Sequence, residues 1–202
     1  GAFGFQQYQV KTGGRSKGWQ YIANVTHVRT DGFREQSRMR NTLANLKIRR
    51  QINAGNSLTL IGNFAGSPVA EDAGALTKIQ ADTLPGQARD VNKQYHAGES
   101  VYQGRLGLLS ESRLTAHSRL KARVFHTIRD FENNLAFKND GVVGFRRNFS
   151  GAGAGYLLDV KPGRVGWQLH GGFDLERQAD LRKRYANMNG ERGALSFEQL
   201  EI

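Results

Sequence analysis

Hydrophobic and polar side chains alternate along much of this chain. In "LANLKIRRQI", residues 43–52, the even positions carry aliphatic side chains interrupted only by Arg50, whereas the odd positions are mostly cationic or amide-bearing. Because successive side chains of a β-strand point to opposite faces, this stretch predicts a strand with one apolar and one polar face. Such a strand fits either a soluble sheet resting on a core or a membrane barrel with lipid outside and a wet lumen.

The alternation recurs and predicts about eight strands. Among the clearest is "VGWQLHGGFDL", where Trp167, Leu169 and Phe173 alternate with Gln168 and His170. The predicted strands lie near residues 3–11, 19–28, 43–52, 57–64, 102–109, 118–128, 142–158 and 165–175. The pattern therefore predicts an all-β, antiparallel, up-and-down fold.

The predicted connections differ in length in a regular way. Short ones lie at 11–18, 53–57, 110–114 and 159–164, and long ones lie at 28–41, 65–99, 129–141 and 176–202. Membrane barrels have short turns at one end and long loops at the other. A soluble sandwich has no physical reason to segregate loop length in this way, so the pattern favours a transmembrane β-barrel wall.

Composition limits the possible functions. The chain has 29 Lys and Arg against 18 Asp and Glu, a formal net charge of +11, and no Cys. The excess of cations predicts an anionic partner, but the absence of any run of five basic residues argues against nucleic acid. Without Cys there is neither a disulfide framework nor a zinc ribbon. No apolar run approaches the roughly 18 residues of a spanning helix.

Motifs for catalysis are missing. The sequence contains no G-x-S-x-G elbow, no H-E-x-x-H and no P-loop. "GAGAG" at 151–155 lacks dinucleotide-binding spacing, and the five His residues lack metal-ligand spacing. We expect no enzyme activity, no catalytic residue, no metal site and no cofactor.

The predicted long loops carry a family resemblance. The stretch "EDAGALTKIQADTLPG" within 69–100 resembles the third-loop region of TonB-dependent outer-membrane receptors, which carry an acidic-Gly-Gly/Ala-Leu-Thr pattern followed by Pro. "DGFREQSRMRN" within 28–41 resembles their preceding loop, and 125–137 and 177–201 are similar to later loops. The pattern is closest to receptors of the ferric-citrate and siderophore type.

The resemblance implies a fold and a function. It implies that residues 1–202 are an internal fragment of a larger, about 22-stranded barrel, with the plug domain, the TonB box and the last strand outside it. The implied function is active uptake of a ferric siderophore, ferric citrate or similar chelate across the outer membrane of a Gram-negative bacterium. The implied partners are the TonB–ExbB–ExbD system, acting through the plug, and lipopolysaccharide, with a monomer as the full-length state and no nucleic acid.

Candidate ligand-binding residues lie in the predicted extracellular loops. Guanidinium groups bind carboxylate-rich anions bidentately, and Tyr and His side chains can contact a chelate. The candidates are Arg29, Arg34, Arg38, Arg129, Tyr95 and His96, with Arg40 and Tyr185 also placed in these loops. The alternative is that they pair with neighbouring carboxylates or lipopolysaccharide phosphates, or pack within the loops.

A second set of cations is predicted to face the plug or the lumen. These residues occupy the polar positions of their strands: Lys47, Arg49, Arg105, Arg119, Lys121 and Arg123. Unpaired buried charges are costly, so we expect plug carboxylates or lumen water to satisfy them.

Two other functions remain open from the sequence. One is a small eight-stranded outer-membrane barrel that acts as a structural anchor or adhesin, and the other is a soluble basic β-protein that binds nucleic acid. A barrel fragment would differ from both by forming an open sheet, because its two edge strands lack their neighbours.

Overall fold

The computed structural model describes residues 1–160 and 165–202, which form one antiparallel sheet of nine strands in chain order. The strands are β1 (Gln6–Ser16), β2 (Trp19–Thr30), β3 (Met39–Gln51), β4 (Asn56–Glu71), β5 (Gly98–Arg113), β6 (Ser118–Asn134), β7 (Val142–Val160), β8 (Trp167–Met188) and β9 (Glu191–Glu201). Two short helices, α1 (Lys78–Thr83) and α2 (Asp90–Gln94), lie between β4 and β5, and a 3-10 turn, Ala2–Gly4, precedes β1. In the described part of the chain, no helix is long and apolar enough to cross a membrane.

The strand register places the predicted apolar positions side by side. Tyr21 pairs with Ile48, Ile48 with Leu60, and Leu60 with Leu108. Because alternate residues share a face, the aliphatic and aromatic positions of these strands form a continuous surface, which we call the apolar face. The other side of the sheet, the polar face, carries the cationic and amide-bearing positions.

The two faces differ in exposure. On the apolar face Leu106, Phe173 and Leu175 are 58%, 62% and 67% exposed, whereas Ser57 and Thr59 on the polar face are each only 4% exposed. The main contacts between strands are those of sheet neighbours, so within the described residues no second layer covers either face. Polar side chains sheltered without a covering layer indicate that the polar face is the inner side of a curved sheet. An exposed apolar outer face is the pattern of a membrane barrel.

The strands are longer than predicted, and the loops are correspondingly shorter. β6 has 17 residues and β8 has 22, so the long connections shrink to residues 31–38, 72–97 and 135–141. The prediction ended each strand where apolar alternation stops, but backbone pairing continues through the polar residues beyond it. Of the predicted short connection at 159–164, residues 161–164 lie outside the described residues.

The prediction of a long loop over 176–202 is wrong, and the described residues form nine strands where about eight were predicted. Residues 176–188 continue β8, and a two-residue turn, Asn189–Gly190, leads into β9. Both turn residues have positive φ, 55° and 96°, which is the requirement of a type I′ hairpin turn and the reason for its Asn-Gly preference. The alternation of short and long connections therefore ends before β9.

The sheet has two open edges. Among the described residues, β1 pairs only with β2 and β9 only with β8. The predicted open sheet is therefore confirmed, and a small barrel closed on itself is not formed.

The well-buried residues lie mainly at one end of the sheet. Val142 and Asn187 are fully buried, and Ala88, Asn92 and Ala97 are 2–3% exposed. All belong to, or border, the segments 31–38, 72–97, 135–141 and 189–190, which together we call the loop cap. The loop cap has a small interior of its own, whereas the sheet does not.

Candidate functional site

Hydrogen bonds join the first two segments of the loop cap. Arg34 donates from Nε to the carbonyl oxygen of Gln87 at 2.9 Å and from Nη2 to that of Ala73 at 3.1 Å. Gln36 donates from Nε2 to the carbonyl oxygen of Ala97 at 3.1 Å. The Arg34 side chain, predicted as a ligand contact, thus uses two of its donors to hold segment 31–38 against 72–97.

Charged groups strengthen the same junction. Glu35 accepts from Lys93 Nζ at 3.0 Å and from the Ala88 amide at 3.2 Å. The Lys93 hydrogen bond, followed by that of Ala88, lowers the pKa of Glu35 below its usual value.

Arg38 and Glu71 form a second charged link. Arg38 donates to the Glu71 carboxylate from its backbone amide and from Nε, each at 2.9 Å. Burial alone would raise the pKa of Glu71, but these hydrogen bonds and the Arg38 charge together lower it. The predicted ligand residue Arg38 keeps a 60% exposed side chain.

Asn187 connects three segments of the loop cap. Its Nδ2 donates to the carbonyl oxygens of Tyr95 and Leu135 at 3.0 and 3.1 Å, and its Oδ1 accepts from the Gly190 amide at 2.7 Å. His96 has a φ of 47°, and a Cβ added at Gly190 would lie 2.5 Å from His96 Cγ. Asn187, at the end of β8, therefore holds Tyr95 in place although 92 residues separate the two in sequence, and Gly190 of the β8–β9 turn lies against His96.

A cavity of about 490 Å³ opens at the loop cap. Its lining includes the cations Arg38 and Lys93, the imidazole of His96 and the carboxylates Glu71, Glu99 and Glu132. Such mixed charge suits a ligand with both acceptor and donor groups, for example a hydroxycarboxylate.

Wall carboxylates satisfy half of the predicted lumen-facing cations. Glu111 lies 3.3 Å from Arg49 and 3.1 Å from Lys121, and Arg123 lies 2.9 Å from Asp174. For these three cations the wall itself supplies the carboxylates that we expected from a plug.

The other three cations are differently placed. Within the part of the chain that the structure describes, Lys47, Arg105 and Arg119 have no ion-pair partner. The Arg105 guanidinium lies 5.3 Å from the Phe125 ring centroid, a cation–π contact that leaves its hydrogen-bond donors unused.

Several predicted loop residues lie on strands instead. Arg29 is in β2, Arg40 in β3, Arg129 in β6 and Tyr185 in β8. Arg29, Arg129 and Tyr185 follow the apolar parts of their strands, and Arg40 precedes that of β3. At each of these positions, strand pairing extends beyond the point at which the sequence pattern predicted a loop. Tyr95 and His96 do lie in a loop, directly after α2.

Arg29 and Arg129 occupy opposite faces of the sheet. Arg29 shares the apolar face with Val25, whereas Arg129 lies on the polar face, opposite Arg147 in the register. The Arg129 guanidinium lies 5.8 and 5.6 Å from the ring centroids of Phe131 and Phe145, and its buried Nε has no hydrogen-bond partner among residues 1–160 and 165–202.

Sequence reasoning missed Asn187 and the pair formed by Arg147 and Asp180. Arg147 donates to Asp180 from Nε at 2.8 Å and from Nη2 at 2.6 Å, and Asp180 is 6% exposed. The Asn189-Gly190 dipeptide was the available signal for the hairpin that contains Asn187. No local signal links Arg147 to Asp180, because 33 residues separate them.

Among the described residues, no group of three His, Cys, Asp or Glu side chains could hold a metal ion.

Comparison with known proteins identifies the fold. No family model matches the sequence. The structure is similar to that of the ferric citrate transporter FecA in its unliganded form, with a TM-score of 0.72 and 14% sequence identity. The similarity covers 96% of this chain and 29% of that protein, so the chain spans less than a third of its length. The predicted fold, a segment of an antiparallel up-and-down β-barrel wall, is thereby confirmed.

Proposed function

We propose that this chain is part of the barrel domain of a TonB-energised outer-membrane receptor that takes up an anionic iron chelate. The observation that carries the proposal is the opposition of the two sheet faces: an exposed apolar face and a polar face rich in cations. The similarity to a ferric citrate transporter supports the same proposal.

The apolar face fits contact with lipid. Tyr21, Leu106 and Phe173 are 46%, 58% and 62% exposed, and in water such a continuous surface would drive aggregation. In a bilayer the same surface meets acyl chains, and the paired strands satisfy their backbone polar groups internally.

The polar face fits attraction of an anion. Lys47, Arg105 and Arg119, without carboxylate partners among the described residues, leave a net positive field along the lumen side. A ferric chelate with several carboxylates would be drawn along such a surface, and guanidinium groups would bind it bidentately.

The loop cap is the proposed capture site. Arg38 and His96 line its cavity, and the backbone of Tyr95 is fixed by Asn187. Arg129 lies on the polar face below the cap with a buried, unpartnered Nε. We assign chelate contact to Arg38, His96 and Arg129, and assign Arg34 to holding the cap together.

Uptake of radioactive ferric citrate tests the proposal. It would be measured in Gram-negative cells that lack their own ferric citrate receptor, with and without the full-length protein. We expect protein-dependent uptake that stops when an uncoupler collapses the proton gradient. If the protein takes up none of the three probes, ferric citrate, a ferric hydroxamate and a ferric catecholate, the proposal is contradicted and a structural anchor is favoured.

A charge variant tests the role of the polar face. We expect the triple variant K47Q/R105Q/R119Q to lower uptake about tenfold, the effect of losing one or more charge-assisted contacts. The matched control R123Q/D174N removes a cation together with its own partner and is expected to retain uptake.

A further inference from the structure

Four cationic side chains line a cavity at the end of the sheet opposite the loop cap. The cavity has a volume of about 160 Å³ and lies between the β3–β4 turn and the first residues of β6. The cations belong to three strands and all lie on the polar face. They are Arg49, Arg113, Arg119 and Lys121, which we call the turn-end cluster.

A single carboxylate faces these four cations. Glu111 is the one acidic residue in the described lining, and both of its oxygens are engaged, by Lys121 at 3.1 Å and by Arg49 at 3.3 Å. Within residues 1–160 and 165–202, Arg113 and Arg119 form no ion pair, and residues 161–164 contain no Asp or Glu. Four cations against one carboxylate leave an excess of three positive charges around the cavity.

The arrangement of the guanidinium groups is unfavourable without an anion. Arg113 and Arg119 are directly opposite in the register of β5 and β6. Cβ atoms of such pairs are about 4.5–5.5 Å apart, and like charges at this spacing are destabilising. The buried Nε of Arg49 has no hydrogen-bond partner among the described residues. An anion between these groups would screen the repulsion and supply hydrogen-bond acceptors.

The β3–β4 turn holds Arg113 in place. The Arg113 amide donates to the carbonyl oxygen of Gly55 at 2.8 Å, and a Cβ added at Gly55 would lie 2.9 Å from Arg113 Cβ. Asn53 Oδ1 closes the turn by accepting from the amides of Gly55 and Asn56 at 2.9 and 3.0 Å. The start of the Arg113 side chain is therefore fixed before any ligand binds, which lowers the entropic cost of binding.

The turn-end cluster differs from other cations of the polar face. Arg123 pairs with Asp174 at 2.9 Å, and Arg147 with Asp180 at 2.6 Å. Arg15 lies at the same end of the sheet but two strands away from Arg49 in the register, and it does not line this cavity. Arg15 therefore offers a matched control for a general effect of charge.

The cavity is also distinct from the cavity of the loop cap. Glu99 lines the loop-cap cavity and Arg113 lines this one, and both residues belong to β5. Because a strand rises about 3.3 Å per residue, the two positions are roughly 45 Å apart along the strand. One ligand of small size cannot contact both.

We propose that the turn-end cluster binds a small oxyanion with two or more negative charges, of the polycarboxylate or phosphate class. Guanidinium forks match the oxygens of both groups, and a cleft lined by charges of one sign concentrates the field inside it. The role of the site rests on the proposed function, since a polycarboxylate chelate that leaves the loop cap would meet a second anion site at the far end of the polar face. Anion binding itself requires neither iron nor uptake.

Isothermal titration calorimetry of the full-length protein in a neutral detergent tests the site. The probes are iron-free citrate and inorganic phosphate, titrated separately at low ionic strength. We expect the wild type to bind, and R113Q/R119Q to bind about tenfold more weakly. The control R15Q should bind as the wild type does. Tighter binding of citrate would identify the anion as a polycarboxylate, tighter binding of phosphate would identify it as free phosphate, and either result supports the site.

A variant with the opposite sign keeps the test independent of folding. E111Q removes the carboxylate that competes with the anion, so it should bind about threefold more tightly, a result that a folding defect does not produce. Hydrogen exchange should slow in 53–57 and 110–119 when the probe is added. No binding by the wild type, equal affinity of R113Q/R119Q and wild type, or weaker binding by E111Q would overturn the proposal. Because the assay contains no iron and measures no transport, its failure would leave the uptake result unaffected.

Discussion

Arg123 and Asp174 form an ion pair of 2.9 Å across an intervening strand. Arg123 is on β6, Asp174 is on β8, and the residue between them in the register is Gly153 of β7. The absence of a side chain at Gly153 opens the space in which the two charged groups meet. The small residues of "GAGAG" thus allow side chains of second-nearest strands to make contact on the polar face.

Gly153→Ala should therefore abolish this ion pair. The added Cβ would overlap the Asp174 carboxylate and would lie 3.1 Å from the Phe173 carbonyl oxygen. Because both partners are about half exposed, we expect a loss of about 0.2–1 kcal/mol in the free energy of unfolding. Urea unfolding of G153A, D174A and the double variant measures the contribution of the ion pair as the coupling energy of a double-mutant cycle. Equal effects of G153A with and without Asp174 would show that the pair contributes nothing.

Asn187→Ala should loosen the loop cap. It leaves the carbonyl oxygen of Tyr95 and the amide of Gly190 without their partner at a fully buried position, whereas the carbonyl oxygen of Leu135 keeps its hydrogen bond from the Phe137 amide. Each unsatisfied group costs about 1–3 kcal/mol. Hydrogen exchange should accelerate in 72–97 and 135–141 but not in β1. Asn187→Asp keeps the acceptor for Gly190 but places a buried carboxylate oxygen against the two carbonyl oxygens, so it should accelerate exchange at least as much as Asn187→Ala.

The loop cap should lose stability in acid. The pKa of Glu71 in the folded protein lies below its ordinary value of 4.5, because the Arg38 hydrogen bonds outweigh the effect of burial. The unfolded segment then binds protons at higher pH than the folded one. The Glu71 contribution is present above about pH 4.5 and is lost as pH falls through the lower folded pKa.

Hydrogen exchange, corrected for intrinsic rates, measures this loss. The protection of the backbone amides of 72–97 against exchange should be constant between about pH 7 and pH 5. It should decrease when the pH is lowered below about 4. Glu71→Gln should give lower protection in neutral solution and a weaker pH dependence. A wild-type protection that stays level to about pH 3 would contradict the assignment.

His126 and Ser150 form a polar pair on the apolar face. His126 Nδ1 lies 2.7 Å from Ser150 Oγ, and the two residues are directly opposite in the register of β6 and β7. Ser150→Ala should cost about 1 kcal/mol, since it leaves the imidazole without this partner. Replacing both residues, as in H126L/S150A, should restore stability to near the wild-type level. Denaturant unfolding in detergent compares the three proteins, and a double variant less stable than S150A would rule out the explanation.

Local chemistry of the strands determined much of this protein. The direction of a side chain in a strand depends only on its position, so the sequence alone separated Leu46 and Leu106 from Lys47 and Arg105. It also indicated the end of the sheet that carries the long connections, and the open edges followed from the resemblance to a larger barrel. Arg38 and His96, predicted as ligand residues, do line the cavity of the loop cap.

Only the tertiary structure decided which residues meet. Arg123 reaches Asp174, and Asn187 reaches Tyr95, across separations of 51 and 92 residues for which alternation contains no information. The structure also showed that pairing outlasts the apolar pattern, which moved Arg29 and Arg129 from loops to opposite faces of the sheet. The physical reason is that side-chain direction is a local property of the backbone, whereas strand register and loop packing depend on contacts between distant segments.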